Sequence, residues 1–214
     1  MPPCPVALEA IQTALASKGH AAGYVNACGT LEARAAIARY HGADASKVII
    51  ANGCSGALEL ALTALLDPGT ILLCAEPCFP LYEVIANSHG ASVVRYRLCP
   101  EKNWQADLHH LEELVCMYGS QVRGIVINNP SNPAGSVYSW EHLTLLVKFC
   151  EQFQLPIVAD EVYGDLVFEG CPFHPLASVA DSLGRQVPVI TASGLAKQFL
   201  VPGWRLGWLC FQDK

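Results

Sequence analysis

The chain has little charge and no concentration of positive charge. Charged residues make up 15% of its 214 residues, and 13 basic against 19 acidic residues give a net charge of -6. Without a stripe of lysine and arginine, a nucleic-acid partner is not expected. No run of about 18 apolar residues occurs, so a membrane-spanning helix is not expected either. The first residues contain neither a basic segment nor the apolar core of a signal peptide, and we expect a cytoplasmic protein.

Several catalytic and metal-binding patterns are also missing. The sequence has no G-x-S-x-G and no H-E-x-x-H, which gives no support to a serine hydrolase or a zinc hydrolase. Its ten cysteines include no C-x-x-C pair and no paired spacing typical of zinc sites. Most of them have apolar neighbours, as Cys74 and Cys210 do. We therefore expect buried free thiols in a reducing compartment, and no metal.

Hydrophobic residues are abundant at 52%, and they fall into alternating strand-like and helix-like segments. Alternation of this kind predicts an α/β fold: a mostly parallel, seven-stranded-type sheet with helices on both faces. The expected strands cover residues 47–51, 71–75, 92–97, 122–128, 156–159, 187–192 and 204–211. The expected helices cover residues 6–18, 31–41, 57–66, 81–89, 108–117 and 140–153, with Thr30 and Ser139 as N-caps of two of them.

The turn after the first strand, residues 51–56, is rich in small residues and includes Cys54 and Ser55. It leads into a helix, and the free N–H groups at the start of a helix favour a phosphate. The segment is neither a Walker loop nor the dinucleotide pattern G-x-G-x-x-G. Taken alone, it is more typical of an ordinary turn between a strand and a helix.

Two further polar segments follow apolar strands. In residues 128–135, Pro130 and Pro133 fix the backbone on either side of Asn132, which is more rigidity than a simple turn needs. Asp160 ends another strand, where ligands bind in open α/β sheets. A carboxylate there can hold a positive ring nitrogen, although a single aspartate at a strand end is more often a helix cap.

Lys197 follows the strand at residues 187–192 and has the apolar neighbours Leu195, Ala196 and Phe199. A lysine partly removed from water loses its proton more easily, which suits Schiff-base chemistry. Arg205, eight residues later, offers a phosphate a forked and always charged partner. Taken alone, Lys197 would be interpreted as a surface lysine and Arg205 as a structural arginine.

Together these motifs resemble the fold-type I pyridoxal-phosphate aminotransferases of class I and II. The segments 129–136, 159–164 and 194–208 carry the resemblance, which extends over essentially the whole chain. It is most pronounced to the branch that acts on tyrosine. The resemblance implies pyridoxal 5'-phosphate as cofactor, amino-acid and 2-oxo-acid substrates, and a homodimer.

The resemblance also implies roles for individual residues. Lys197 would form a Schiff base with the cofactor and later move a proton. Asp160 would pair with the pyridinium nitrogen, so that the ring accepts electrons. Tyr163 and Asn132 would hydrogen-bond the 3' oxygen of the ring.

Further residues would hold the rest of the cofactor. Phe79 would stack on the ring, and Tyr24 would reach the phosphate in the neighbouring subunit. The phosphate would be bound by Cys54, Ser55, Ser193 and Arg205.

The implied reaction is the transfer of an amino group from an aromatic L-amino acid to a 2-oxo acid. Members of the family also have an N-terminal arm and a small C-terminal domain, which supplies the arginine for the substrate carboxylate. We expect residues 1–214 to be the large cofactor-binding domain without those parts. A truncated cofactor-binding remnant without activity, a different amino donor such as alanine or kynurenine, and a lyase on the same scaffold remain alternatives.

Overall fold

The computed structural model of the protein describes residues 3–16, 23–184 and 186–212. Helices and strands alternate along most of the chain, as the sequence predicts. The helices are α1 (Pro5–Ala16), α2 (Leu31–His41), α3 (Gly53–Leu65), α4 (Leu81–Ser88), α5 (Leu108–Tyr118), α6 (Trp140–Gln152), α7 (Leu176–Ser182) and α8 (Leu195–Gln198). The strands are β1 (Val48–Asn52), β2 (Ile71–Glu76), β3 (Ser92–Cys99), β4 (Gln105–Ala106), β5 (Val122–Asn128), β6 (Ile157–Asp160), β7 (Val189–Gly194) and β8 (Leu206–Gln212).

The strands form one sheet in the order β1-β8-β7-β6-β5-β2-β3-β4. Strands β7, β6, β5, β2 and β3 are mutually parallel, whereas β8 runs antiparallel to both of its neighbours and β4 antiparallel to β3. The prediction of a mostly parallel sheet is confirmed. The strand number of seven is wrong by one, because β4 has only two residues and leaves no apolar run in the sequence.

Helices cover both faces of the sheet, which confirms that part of the prediction. On one face, β2, β5 and β6 pack with α3 and α4, around Leu58, Leu72 and Val158. On the other face, the alternate residues of the same strands pack with α5, α6 and α7, around Leu73 and Leu146. Burial on both faces explains why these strands appear as continuous apolar runs in the sequence.

The helix ends follow local capping chemistry. Thr30 accepts a hydrogen bond from the backbone N–H of Ala33 at 3.2 Å, and Ser139 accepts one from that of His142 at 3.2 Å, as predicted. Helix α3 begins at Gly53, four residues before the expected start, so the small-residue turn is itself the first turn of the helix. Helices α7 and α8 were not expected, since each is too short to show a clear helical period.

All ten cysteines are free thiols, in agreement with the expected absence of disulfides. The expectation that they are buried is wrong for most of them. Three are buried, three are exposed and four are intermediate. An apolar neighbour along the chain does not decide burial, because adjacent residues of a helix or strand point in different directions.

Within the described ranges, no helix is long and apolar enough to cross a membrane. The same residues contain no group of three or more histidine, cysteine, aspartate or glutamate side chains placed to hold a metal ion.

Candidate active site

A cavity of about 300 Å³ lies beyond the carboxyl ends of β5 and β6, beside the start of α3. Open α/β sheets bind ligands at this edge. The structure brings eight of the ten predicted site residues to this cavity, namely Cys54, Ser55, Phe79, Asn132, Asp160, Tyr163, Lys197 and Arg205. The other lining residues are Leu58, Tyr82, Asn128, Val162, Ala196 and Pro202.

Asp160, the last residue of β6, is the buried carboxyl group of the cavity, with 4% of its surface exposed. The Tyr82 hydroxyl donates a hydrogen bond to its Oδ2 at 2.6 Å. The Cys54 thiol, at 3.6 Å, and the Val162 backbone N–H, at 3.4 Å, donate to its Oδ1. Burial raises the pKa of Asp160, while these three donors act in the opposite direction and favour the charged form. A carboxylate held in this way is ready to pair with a positive group in the cavity.

The side chain of Cys54 donates its hydrogen bond to Asp160, so it is not available to an anion at the start of α3. Burial raises the pKa of the Cys54 thiol, and the neighbouring Asp160 carboxylate raises it further. Cys54 therefore stays protonated and acts as a donor. What it can offer an anion at the start of α3 is its backbone N–H.

The start of α3 forms the end of the cavity that is suited to an anion. Asn52, which precedes the helix, makes no side-chain capping hydrogen bond, so it leaves the first N–H groups of a 13-residue helix uncapped. The Arg205 guanidinium lies against Gly53 and donates to the carbonyl oxygens of Asn52, at 3.3 Å, and Pro202, at 3.0 Å. A Cβ atom on Gly53 would overlap this guanidinium, and Gly53 has a φ of 73° that other residues rarely adopt. The glycine thus lets the arginine and the helix start converge.

Close backbone packing fixes the start of α3 on the sheet. A Cβ atom on Gly207 in β8 would overlap the carbonyl group of Gly53 and the backbone nitrogen of Cys54. A Cβ atom on Gly194 would lie 2.8 Å from the carbonyl oxygen of Leu206. Only residues without a side chain allow the helix start to approach β7 and β8 this closely.

Lys197 enters the same cavity from α8, which begins directly after β7 ends at Gly194. Its Nζ atom lies 5.5 Å from the centre of the Tyr163 ring. Phe79 contributes an aromatic ring on the side of α4 and packs edge-on against Tyr82, with ring centres 6.0 Å apart. The cavity therefore combines an amine, a buried carboxyl group and an aromatic surface.

Two further polar residues of the cavity, Tyr82 and Asn128, were not identified from the sequence. Asn128 ends β5 beside Asp160, and its amide donates to the Asp160 carbonyl oxygen at 3.1 Å. Its side-chain oxygen accepts from the backbone N–H of Asn132 at 2.7 Å. Asn128 thus ties Asn132 to the end of β6. Asn128 could have been found from its position at the end of a strand. Tyr82 could have been found from its position at the start of a helix, three residues after Phe79.

Two predicted residues lie elsewhere. Ser193 is buried and lines a separate cavity of about 260 Å³ together with Glu161 and Thr191. Tyr24 is fully exposed and does not line the cavity of its own chain.

Comparisons with known proteins identify the family of the chain. The family model for aminotransferases of class I and II matches residues 1–214. Mouse tyrosine aminotransferase is 42% identical over 219 residues, which cover 100% of this chain and 46% of the mouse protein. The crystal structure of tyrosine aminotransferase from Leishmania infantum matches with a TM-score of 0.90 at 32% identity, covering 100% of this chain and 58% of that one.

Alanine aminotransferase from Pyrococcus furiosus is also similar in structure, with a TM-score of 0.89 at 30% identity over 100% of this chain and 53% of that chain. The chain spans about half the length of the curated relatives it matches. The family model covers the whole chain, and the mostly parallel sheet is that of the solved aminotransferases. The chain belongs to the aminotransferase family of class I and II.

Proposed function

We propose that this chain carries the cofactor site of an enzyme that transfers the amino group of an aromatic L-amino acid to a 2-oxo acid, with pyridoxal 5'-phosphate as cofactor. One observation carries the proposal. Asp160 supplies a buried carboxyl group, Lys197 supplies an amine, and the start of α3 supplies free N–H groups for an anion. All three line the same cavity.

The residues present fit the cofactor. Its phosphate suits the uncapped start of α3, with Ser55 and Arg205 beside it. Its positive ring nitrogen suits Asp160, which three donors hold ready in the charged form. Tyr163 and Asn132 can hydrogen-bond the ring oxygen.

The remaining contacts complete this assignment. Phe79 offers its ring to the face of the cofactor. The amine of Lys197 would hold the cofactor by its aldehyde group. Ser193 lies in the separate cavity, and we propose only a minor role for it in phosphate binding.

In the proposed reaction, Asp160 and Lys197 have different roles. When bound, pyridoxal phosphate supplies an electron-accepting ring that stabilises negative charge at the reacting carbon of the substrate. Asp160 keeps the ring nitrogen protonated, because its charged form accepts from Tyr82, Cys54 and Val162. The Lys197 amine would act as the base that accepts the proton of the substrate carbon and later gives it back.

The substrate proposal depends on relatives. Mouse and Leishmania infantum relatives are named for tyrosine, which favours an aromatic donor. The structural match to an alanine aminotransferase keeps a small donor open, and kynurenine remains a further alternative. Because the chain spans about half of its relatives, cofactor binding without turnover is the competing proposal.

We also propose a homodimer in the cytoplasm. Tyr24 is fully exposed and lies outside its own cavity, so it is free to contact the cofactor site of a second copy. Ten free thiols fit a reducing compartment.

A panel of amino donors tests the activity. The chain is incubated with pyridoxal phosphate, 2-oxoglutarate and either L-tyrosine, L-alanine or L-kynurenine, and the 2-oxo products are measured. We expect the product of L-tyrosine to form fastest and none from D-tyrosine or with Lys197→Ala. Cofactor binding without any product would establish the non-catalytic alternative instead.

A further inference from the structure

Two thiols meet at the end of β2, next to the candidate active site. Cys74 lies within β2 and is buried, whereas Cys78 follows the strand and is half-buried. Both side chains belong to the same apolar cluster, Cys74 as a buried member and Cys78 packed against it. Cys78 directly precedes Phe79, which lines the cofactor cavity, but Cys78 itself is not part of that cavity.

An arginine on the neighbouring strand holds Cys78. Nη1 of Arg95, in β3, donates to the Cys78 sulfur at 3.1 Å. Its Nε and Nη2 atoms pair with the carboxylates of Glu76, at 3.1 Å, and Glu83, at 2.6 Å. Guanidinium nitrogens can only donate, so the sulfur accepts and its negative form is favoured.

The surroundings of the Cys78 sulfur favour its negative form. The neighbouring Cys74 side chain lowers the pKa of Cys78 most, and Arg95 lowers it further, to about 7 in spite of partial burial and the charge of Glu76. The neighbouring Cys78 side chain, together with burial, raises the pKa of Cys74 well above its ordinary value. One thiol of the pair is thus the nucleophile, and its partner keeps its proton.

We propose that Cys78 is a modification site, a nucleophilic thiolate held by Arg95 that hydrogen peroxide oxidises, with Cys74 as the second thiol that closes a disulfide. In the first step the Cys78 thiolate attacks one peroxide oxygen, and the O–O bond breaks. The leaving hydroxide takes a proton and departs as water, which leaves a sulfenic acid on Cys78. In the second step the Cys74 sulfur attacks that of Cys78, the S–O bond breaks, and a second water leaves with the Cys74 proton. Two thiols and one peroxide give one disulfide and two waters.

The wild-type chain provides its own controls, because Cys116 and Cys171 are exposed and more accessible than Cys78. At pH 7, limiting iodoacetamide followed by peptide mapping should label Cys78 about tenfold faster than either exposed cysteine, as a larger thiolate fraction requires. Labelling of Cys78 at or below the rate of the exposed cysteines would overturn the proposal, and this comparison needs no variant.

Two matched variants test whether Arg95 causes the fast labelling of Cys78. Arg95→Gln removes the donor to Cys78 and should slow its labelling about threefold, part of the way towards that of an ordinary thiol. Arg97→Gln changes the other arginine of the same strand, which pairs with Asp107 at 3.2 Å, and should leave the rate unchanged. Circular dichroism confirms that each variant is folded. An equal rate in wild type and Arg95→Gln would contradict the role of the guanidinium.

Hydrogen peroxide tests the pair directly. After peroxide treatment the free thiols are alkylated under denaturing conditions, the chain is reduced, and the thiols released by reduction are labelled with a second reagent before peptide mapping. We expect the second label on both Cys74 and Cys78 after peroxide treatment and on neither in the untreated chain. In Cys74→Ala, dimedone should instead trap a sulfenic acid on Cys78. Oxidation confined to other cysteines, or no trapped adduct in Cys74→Ala, would refute the assignment.

Discussion

The Tyr82 hydroxyl lies 2.6 Å from Oδ2 of Asp160, and both groups are almost fully buried. Burial raises the pKa of Asp160 and so disfavours its charged form. Three hydrogen bonds to the carboxylate oppose this effect, and the one from Tyr82 is the shortest. The pair connects α4 to the end of β6 and keeps the carboxylate at the cavity wall.

Tyr82→Phe should weaken cofactor binding about tenfold, since a hydrogen bond to a charged group contributes about 1.5–3 kcal/mol. Tyr96→Phe is the matched control. Tyr96 is equally buried and donates to the Val126 carbonyl at 3.0 Å, away from the cavity. Both variants should lose stability, but only Tyr82→Phe should lose affinity in a titration with pyridoxal phosphate. Similar affinities in the two variants would count against the role of Tyr82.

Asp160→Asn should abolish tight cofactor binding without destabilising the cofactor-free protein. A buried carboxyl group is costly to keep charged, and the neutral amide avoids that cost. We expect the free energy of unfolding without cofactor to stay within about 1 kcal/mol of wild type or to rise. Chemical denaturation and cofactor titration measure the two effects. A large loss of stability with unchanged affinity would show that Asp160 serves the fold instead.

Glu161→Gln should change how stability depends on pH. Burial raises the pKa of Glu161 to about 8, and its Oε1 accepts from the Leu176 backbone N–H at 2.8 Å. The folded state therefore keeps a proton that the unfolded chain releases above about pH 4.5. The stability linked to this proton is complete below pH 4.5 and is lost as pH rises to about 8, by up to about 1.4 kcal/mol per pH unit.

Glutamine keeps the acceptor for Leu176 and has no proton to lose. The stability of Glu161→Gln relative to wild type should therefore increase from pH 5 to pH 8 in urea unfolding. Glu59→Gln, at an exposed position on α3, is the control and should run parallel to wild type. If the two curves for Glu161→Gln and wild type stay parallel, the buried neutral carboxyl group is ruled out.

Gly207→Ala should displace the start of α3. Its Cβ atom would overlap the backbone of Gly53 and Cys54, and overpacking of this kind costs about 1–3 kcal/mol. Phosphate affinity should fall with stability, because the helix start and Arg205 would no longer converge. Gly203→Ala is the control, since nothing lies within 4 Å of its added carbon. We expect a lower melting temperature and weaker binding only for Gly207→Ala, and equal effects at the two positions would contradict the packing argument.

The sequence was most informative where one short segment carries the signal. Apolar runs located seven of the eight strands, and the strand end at Asp160 placed a carboxylate at the ligand-binding edge. It was least informative where two distant segments meet. Tyr82 and Asp160 are 78 residues apart, and nothing local shows that α4 brings the hydroxyl to the end of β6.

The thiol pair shows the same limit. Cys78 follows β2 and Arg95 lies within the neighbouring β3, and their contact depends on the parallel register that sets Cys74 opposite Arg95. Register comes from the packing of the whole sheet rather than from either strand. In the same way, no pattern indicated that Ser193 lines a different cavity from Lys197.

The most direct test of the account concerns Lys197. The chain is incubated with pyridoxal phosphate, reduced with borohydride and digested, and the modified peptide is identified by mass spectrometry. We predict one stoichiometric label, on Lys197, that is absent from Lys197→Arg and retained in Lys148→Arg. A label spread over other lysines, or none on Lys197 under saturating cofactor, would contradict the central claim that this cavity binds the cofactor through Lys197.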